Sequence, residues 1–180
     1  MTLIQTNDSL AFNELYSRYK VGLNSYFSGL LDPTIAEELM QETFIKILNK
    51  SHMFRFESKV KTWIWTIAKN TIRDHWRSVD HKIINSFDSL TDQETGEELF
   101  EAPLTSNEEL ILSKVIKKQL TACIEELSED QREIVLLHIQ SELSHQEISE
   151  LTQIQIGAIK SHLFRAKDKL INCFKHGGHL

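Results

Sequence analysis

Along residues 8–31 apolar side chains return every three or four positions: Leu10, Phe12, Leu15, Tyr16, Tyr19, Leu23, Tyr26 and Phe27. That spacing places them on one face of an α-helix. Asp32-Pro33 then offers an N-cap and a first-turn proline, so a second helix is expected over 33–50. Its core face would hold Ala36, Leu39, Met40, Phe44, Ile47 and Leu48. The period fails across 51–59, a loop that still carries Phe54 and Phe56 around Arg55. Over 60–79 it returns, with Val60, Trp63, Ile64, Ile67, Ala68, Thr71 and Ile72 as a buried stripe. Lys69, Asn70, Arg73, Asp74 and Arg77 fall on the other side. Trp65 and Trp76 lie off the stripe and about three turns apart, so they share a direction. They suit packing on neighbouring helices and stacking on unpaired bases equally well.

No apolar period is sustained over 80–107. Ser106 with Glu109 forms a capping-box pattern that opens a helix to about residue 126, with Leu110, Val115, Leu120 and Ile124 inward. Ser128 with Gln131 repeats the device before Ile134, Val135 and Leu137. Ser144 with Glu147 repeats it again, ahead of a short helix burying Ile148 and Leu151. After a turn at 152–155, Ile156, Ile159, Leu163, Ala166 and Leu170 share one face of a last helix. Lys160, Ser161, Arg165 and Lys167 occupy its other face, with His162 at the edge. Short helix, tight turn and basic amphipathic helix fit a helix-turn-helix whose second helix enters a major groove. Two core helices with a solvated basic face would show the same period.

Composition agrees with an all-helical chain: 2 Pro and 6 Gly in 180 residues, with 41% hydrophobic residues to build a core. The net charge of −6 argues against nucleic acid only until it is mapped. Residues 46–82 carry nine Lys/Arg against three Asp/Glu, and residues 154–176 carry five against one. Between them, 83–109 holds eight Asp/Glu and no Lys/Arg. Two basic blocks flank an acidic one. No run of eighteen apolar residues and no signal-like N-terminus is present, which makes the cytoplasm the expected setting and a membrane span unexpected. Cys123 and Cys173 fall inside helical patterns and read as reduced, buried thiols. Cys173, His176 and His179 have a ligand-like spacing but no obvious fourth member, so no metal site is expected. No nucleophile–base pair or Gly-rich phosphate loop appears, so neither an enzyme nor a cofactor is expected.

Three stretches together carry a resemblance. Residues 36–46 (AEELMQETFIK), 62–70 (TWIWTIAKN) and 74–77 (DHWR) resemble region 2 of bacterial RNA polymerase sigma factors. The helix-turn-helix at 143–170 resembles region 4, and order, spacing and length are similar to the extracytoplasmic-function (ECF) class. The resemblance implies an all-α chain of two small helical domains joined by an acidic linker. These would be a region 2 bundle over 8–79, a linker over 80–107, and a region 4 helix-turn-helix of the winged-helix-like DNA-binding class over 108–176. It implies a promoter-specificity subunit whose partners are core RNA polymerase, through the β′ clamp helices and the β flap, and promoter DNA. An anti-sigma factor is a further partner consistent with it.

By the same resemblance Glu38, Gln41 and Glu42 would meet the β′ clamp helices; a merely solvated acidic face is the plainer account of them. The loop with Phe54, Arg55, Phe56 and Lys59 would hold a base flipped from the −10 element, beside Asn70, Arg73, Asp74 and Arg77. Lys160, Ser161, His162 and Arg165 would read the −35 element, and Lys167 would hold a phosphate. Gln153 stands where the family has a turn Gly, Gln155 where it has Ser or Thr, Ser149 where it has Ala, and His162 where Arg is common. A helix-turn-helix regulator working without core polymerase is the competing function; it would make 33–77 dispensable. A decoy that binds core but not DNA is a third.

Overall fold

The computed structural model describes residues 1–5, 8–85 and 107–176. Among them every regular element is helical and there is no strand. The order is α1 (Thr2–Gln5), α2 (Ser9–Ser28), α3 (Pro33–Lys50), a single 3-10 turn (Ser51–Met53), α4 (Val60–Asn85), α5 (Asn107–Glu125), α6 (Glu129–Ser141), α7 (His145–Thr152) and α8 (Ile156–His176).

Local chemistry explains most of the boundaries. Asp8 accepts from the Leu10 and Ala11 amides to start α2, and Asp32 accepts from Thr34 with Pro33 in the first turn of α3. Ser128 with Gln131 and Ser144 with Glu147 form complete capping boxes at α6 and α7. The box expected at Ser106 involves a position outside the described residues. Helix α4 runs to Asn85, six residues past the expected end at 79.

One core joins the two halves of the chain. Leu23, Tyr26 and Phe27 of α2, Phe44 and Ile47 of α3, and Ile64, Trp65 and Ile72 of α4 are buried with Ile134 and Leu137 of α6, Ile148 of α7 and Ile159 of α8. Helices α2 and α6 approach closely at Gly29, where a Cβ would stand 2.6 Å from a Leu136 methyl. A side chain there would require the buried Leu136 side chain to shift. A smaller cluster of Leu127, Val135 and Ala166 supports α8.

The inward face expected for α5 needs revision: Val115 and Leu120 are exposed, while Cys123 is buried. Cys123 and Cys173 are not free thiols. They form a disulfide between α5 and α8, with Cα atoms 5.7 Å apart. That spacing arises because the two helices pack side by side, and it lies in the range a disulfide needs.

Candidate nucleic-acid and polymerase interfaces

The loop after α3 is built around aromatic rings. Phe54 is 5% exposed and meets Phe56 edge-on at 4.9 Å and Trp63 at 5.3 Å. Phe56 itself is exposed and sits at φ 60°, a left-handed conformation uncommon for an aromatic residue. Beside these rings opens a cavity of about 180 Å³ lined by Met53, Phe54, Arg55, Glu57, Ser58 and Trp63. Its aromatic wall and single guanidinium suit one flat, hydrogen-bonding ring. Trp63, expected in the buried stripe, is only partly buried and forms the cavity wall. Its position one turn into α4, beside the aromatic loop, was the available signal.

On α4, Asn70, Arg73, Asp74 and Arg77 fall on one face by their three- and four-residue spacing. Arg73, Asp74 and Arg77 are exposed, and Asn70 is half-buried. Lys46 braces this face from α3: its Nζ lies 2.8 Å from Glu42, 3.2 Å from Thr71 Oγ1 and 3.9 Å from Asp74. The two tryptophans part company. Trp65 is 1% exposed and edge-on to Tyr26 at 5.4 Å, whereas Trp76 is 39% exposed. The shared direction is real, but the core of α2 and α6 closes over Trp65 and not over Trp76.

Glu38, Gln41 and Glu42 are all exposed on α3. Ile45 and Leu48 are exposed as well, and their spacing continues the same face. Leu48, expected to point to the core, instead gives this acidic face an apolar strip, the composition of a protein-docking surface.

In the helix-turn-helix, Gln153 closes α7 at φ 63°. The strain of a left-handed glutamine, about 1 kcal/mol, is offset locally. Its side-chain amide donates to the Glu150 carbonyl at 2.6 Å, and Ser149 Oγ donates to the Ile154 carbonyl at 2.6 Å. Lys160, Ser161, Arg165 and Lys167 are exposed along α8. His162 differs: it is half-buried, and its Nδ1 is enclosed without a hydrogen-bond partner. Phe164, which the periodicity did not flag, is 67% exposed between Lys160 and Arg165. An exposed aromatic on this face can meet a thymine methyl.

The two halves also touch through polar groups. Lys69 pairs with Glu133 at 2.7 Å, both side chains less than a fifth exposed, and Tyr26 lies 3.4 Å from the same carboxylate. Burial first, then Glu133, pushes the Tyr26 phenol well above its ordinary range. Lys59 reaches Glu147 at 3.2 Å, Thr62 donates to it at 3.2 Å, and Lys61 donates to the Glu142 carbonyl at 2.7 Å.

Glu147 is held at a pKa of about 2, chiefly by hydrogen bonds from the Ser144 backbone and hydroxyl and then by Lys59. A carboxylate depressed in the folded state stabilises it fully above the unfolded value near 4.5. The contribution fades as pH falls from there toward 2. Acid titration followed by circular dichroism therefore shows Glu147→Gln less stable than wild type at neutral pH, with the gap closing between about pH 4.5 and 2.

The sequence model of sigma-70 region 2 matches residues 15–82, and that of sigma-70 region 4 matches residues 117–170. The ECF RNA polymerase sigma-E factor of Escherichia coli (strain K12) is 30% identical over 172 residues, covering 94% of this chain and 89% of the relative. The sigma-E factor of Haemophilus influenzae is 28% identical, covering 94% and 90%. Two solved structures share the fold. One is the sigma factor RpoE in complex with the anti-sigma factor NepR from Bartonella quintana, at TM-score 0.67 and 23% identity over 91% of this chain and 95% of that one. The other is CnrH in complex with the cytosolic domain of CnrY, at TM-score 0.64 and 19% identity over 97% and 94%.

Proposed function

The chain belongs to the ECF class of RNA polymerase sigma factors, which direct promoter recognition through regions 2 and 4, and we propose how its surfaces divide that work. The carrying observation is that three exposed faces of different chemistry stand on separate elements: acidic with an apolar strip on α3, aromatic and basic around the 51–59 loop and α4, basic on α8. Residues 8–79 act as the region 2 block, 80–107 as the acidic linker and 108–176 as the region 4 block. Glu38, Gln41 and Glu42, with Ile45 and Leu48, dock on the β′ clamp helices of core polymerase, and region 4 meets the β flap.

The cavity beside Phe54, Phe56 and Trp63 seats an unpaired base of the −10 strand, with Arg55 in its lining; Lys59, paired with Glu147 in the closed arrangement, is free to meet that strand once α7 leaves. Asn70, Arg73, Asp74 and Arg77 follow that strand along α4. Separating a base from its stack costs a few kcal/mol. Aromatic stacking worth about 1–3 kcal/mol per base, plus phosphate contacts, offsets that cost without nucleotide hydrolysis. Lys160, Ser161 and Arg165 read the −35 duplex with Phe164 between them, His162 supports the edge of that surface, and Lys167 holds a phosphate.

The −35 and −10 elements lie about 25 base pairs apart, roughly 85 Å at about 3.4 Å per step. Two halves sharing one core cannot span that distance, so binding both elements requires α6 and α7 to leave α2 and α4. An anti-sigma factor belongs in the proposal as a partner that would favour the closed arrangement; the similar RpoE structure holds one, NepR. No described helix is long and apolar enough to cross a membrane, and the cytoplasm, where polymerase works, is the proposed setting.

The test is binding of the reconstituted holoenzyme to promoter duplexes. Lys160→Ala and Arg165→Ala should each weaken binding by about 5- to 150-fold and relax sequence preference at one −35 position, as loss of a base contact does. Lys167→Ala should weaken all sequences alike and lower the salt dependence by about one counterion. Equal loss on matched and scrambled −35 sequences in all three variants would overturn the assignment.

A further inference from the structure

The aromatic loop is held by local contacts, Ser51 Oγ on the Leu48 carbonyl and Phe54 against Trp63, and also by a residue from the far end of the chain. Gln5, the last residue of α1, donates from Nε2 to the carbonyls of Ser51 at 2.8 Å and Phe54 at 3.1 Å. Those two carbonyls mark the start and the exit of the 3-10 turn, which is closed by the Phe54 amide on Ser51. Helix α1 is only one turn long, closed by the Gln5 amide on the Met1 carbonyl, and would not persist alone. It is anchored because Ile4 is 3% exposed within the main core, with Met1 packed beside it. A buried apolar anchor thus carries a side-chain amide whose two N–H groups meet the two ends of the turn. The ring of the same Phe54 lines the cavity and, two residues on, Phe56 holds its left-handed backbone. A left-handed aromatic residue persists only where its surroundings over-determine it.

We infer that Gln5 is a positioning residue for −10 strand recognition: it fixes the Ser51–Phe54 turn and so holds Phe54 and Phe56 where an unpaired base can enter. This rests on reading the cavity as the seat of that base. Residues 1–5 lie outside the stretch matched by region 2, so the family match assigns them no part in it. The chemistry requires a donor of this length. Gln5→Glu keeps the shape but sets an ionised, acceptor-only carboxylate against two carbonyl oxygens, and Gln5→Ala removes the contact.

The experiment uses holoenzyme made with the full chain and single-stranded −10 oligonucleotides in which each base in turn is made abasic. Wild type should lose about tenfold or more in affinity when the seated base is missing. Gln5→Ala and Gln5→Glu should bind the intact strand about tenfold more weakly and lose most of the difference between intact and abasic. Core affinity and −35 duplex binding should stay as in wild type, the thermal midpoint should fall by no more than about 2–10 °C, and amide exchange over 51–58 should quicken. A Thr2→Ala control, at an exposed position on the same turn, should behave as wild type. Should the variants keep the full abasic penalty and slow exchange, the role of Gln5 is overturned while the cavity reading stands. If wild type shows no abasic penalty at any position, the cavity reading fails and the specificity role of Gln5 fails with it.

Discussion

Trp65→Ala should lower the stability of the chain by about 3–5 kcal/mol, the range for truncating a fully buried aromatic residue. Trp65 is 1% exposed, packs edge-on against Tyr26, and belongs to the cluster that joins α2, α3 and α4 to α6 and α7. The site cannot refill easily, because α2 and α6 already meet closely beside the indole: a Cβ on Gly22 would stand 3.0 Å from the Gln140 carbonyl oxygen. In a domain of this size the loss corresponds to a fall in thermal midpoint of about 6–20 °C. Trp76→Ala, three turns along the same side of α4 but 39% exposed, should change stability by less than about 0.5 kcal/mol. Thermal unfolding of the two variants checks the pair. Similar midpoints would mean that Trp65 is not enclosed in the core shared by α2, α4 and α6 in solution.

That contrast shows where periodicity stops being informative. Helix starts were legible wherever a side chain caps its own backbone: Asp32, Ser128 and Ser144 act within three residues, and their patterns are visible in a string of letters. The left-handed turn at Gln153 was legible for a different reason, because the family resemblance puts a turn Gly at that position. Trp65 and Trp76 have the same azimuth but different fates, because burial depends on which other helices arrive. The pairing of Cys123 with Cys173 joins positions fifty residues apart on two helices whose packing no local pattern encodes. Leu48 read as core because it is apolar, although its spacing from Glu38, Gln41 and Ile45 placed it on the outer face. Trp63 read as core for the same reason, whereas Phe164 falls outside the buried period of α8 and so was not singled out. The contact from Gln5 to the Ser51–Phe54 turn, forty-six residues away at its nearer end, left no trace in either region's pattern.

The face of α3 carries the second large effect. Glu38, Gln41 and Glu42 are exposed, and Glu42 gives up only an i,i+4 pair with Lys46 when replaced, so the helix should tolerate substitution. At an interface the same changes are severe. Placing lysines against a basic partner sets like charges together, at a cost of several kcal/mol. The Glu38→Lys/Gln41→Ala/Glu42→Lys variant should therefore keep its helical spectrum and lose at least about 100-fold in affinity for core polymerase, while its helix-turn-helix still binds −35 duplex.

Equilibrium binding of the labelled chain to purified core RNA polymerase, wild type beside this triple variant, tests the account most directly. Saturable binding by the wild type and its loss in the variant is the predicted result. A wild-type chain that does not bind core polymerase would contradict it, and would leave a helix-turn-helix that acts on DNA alone.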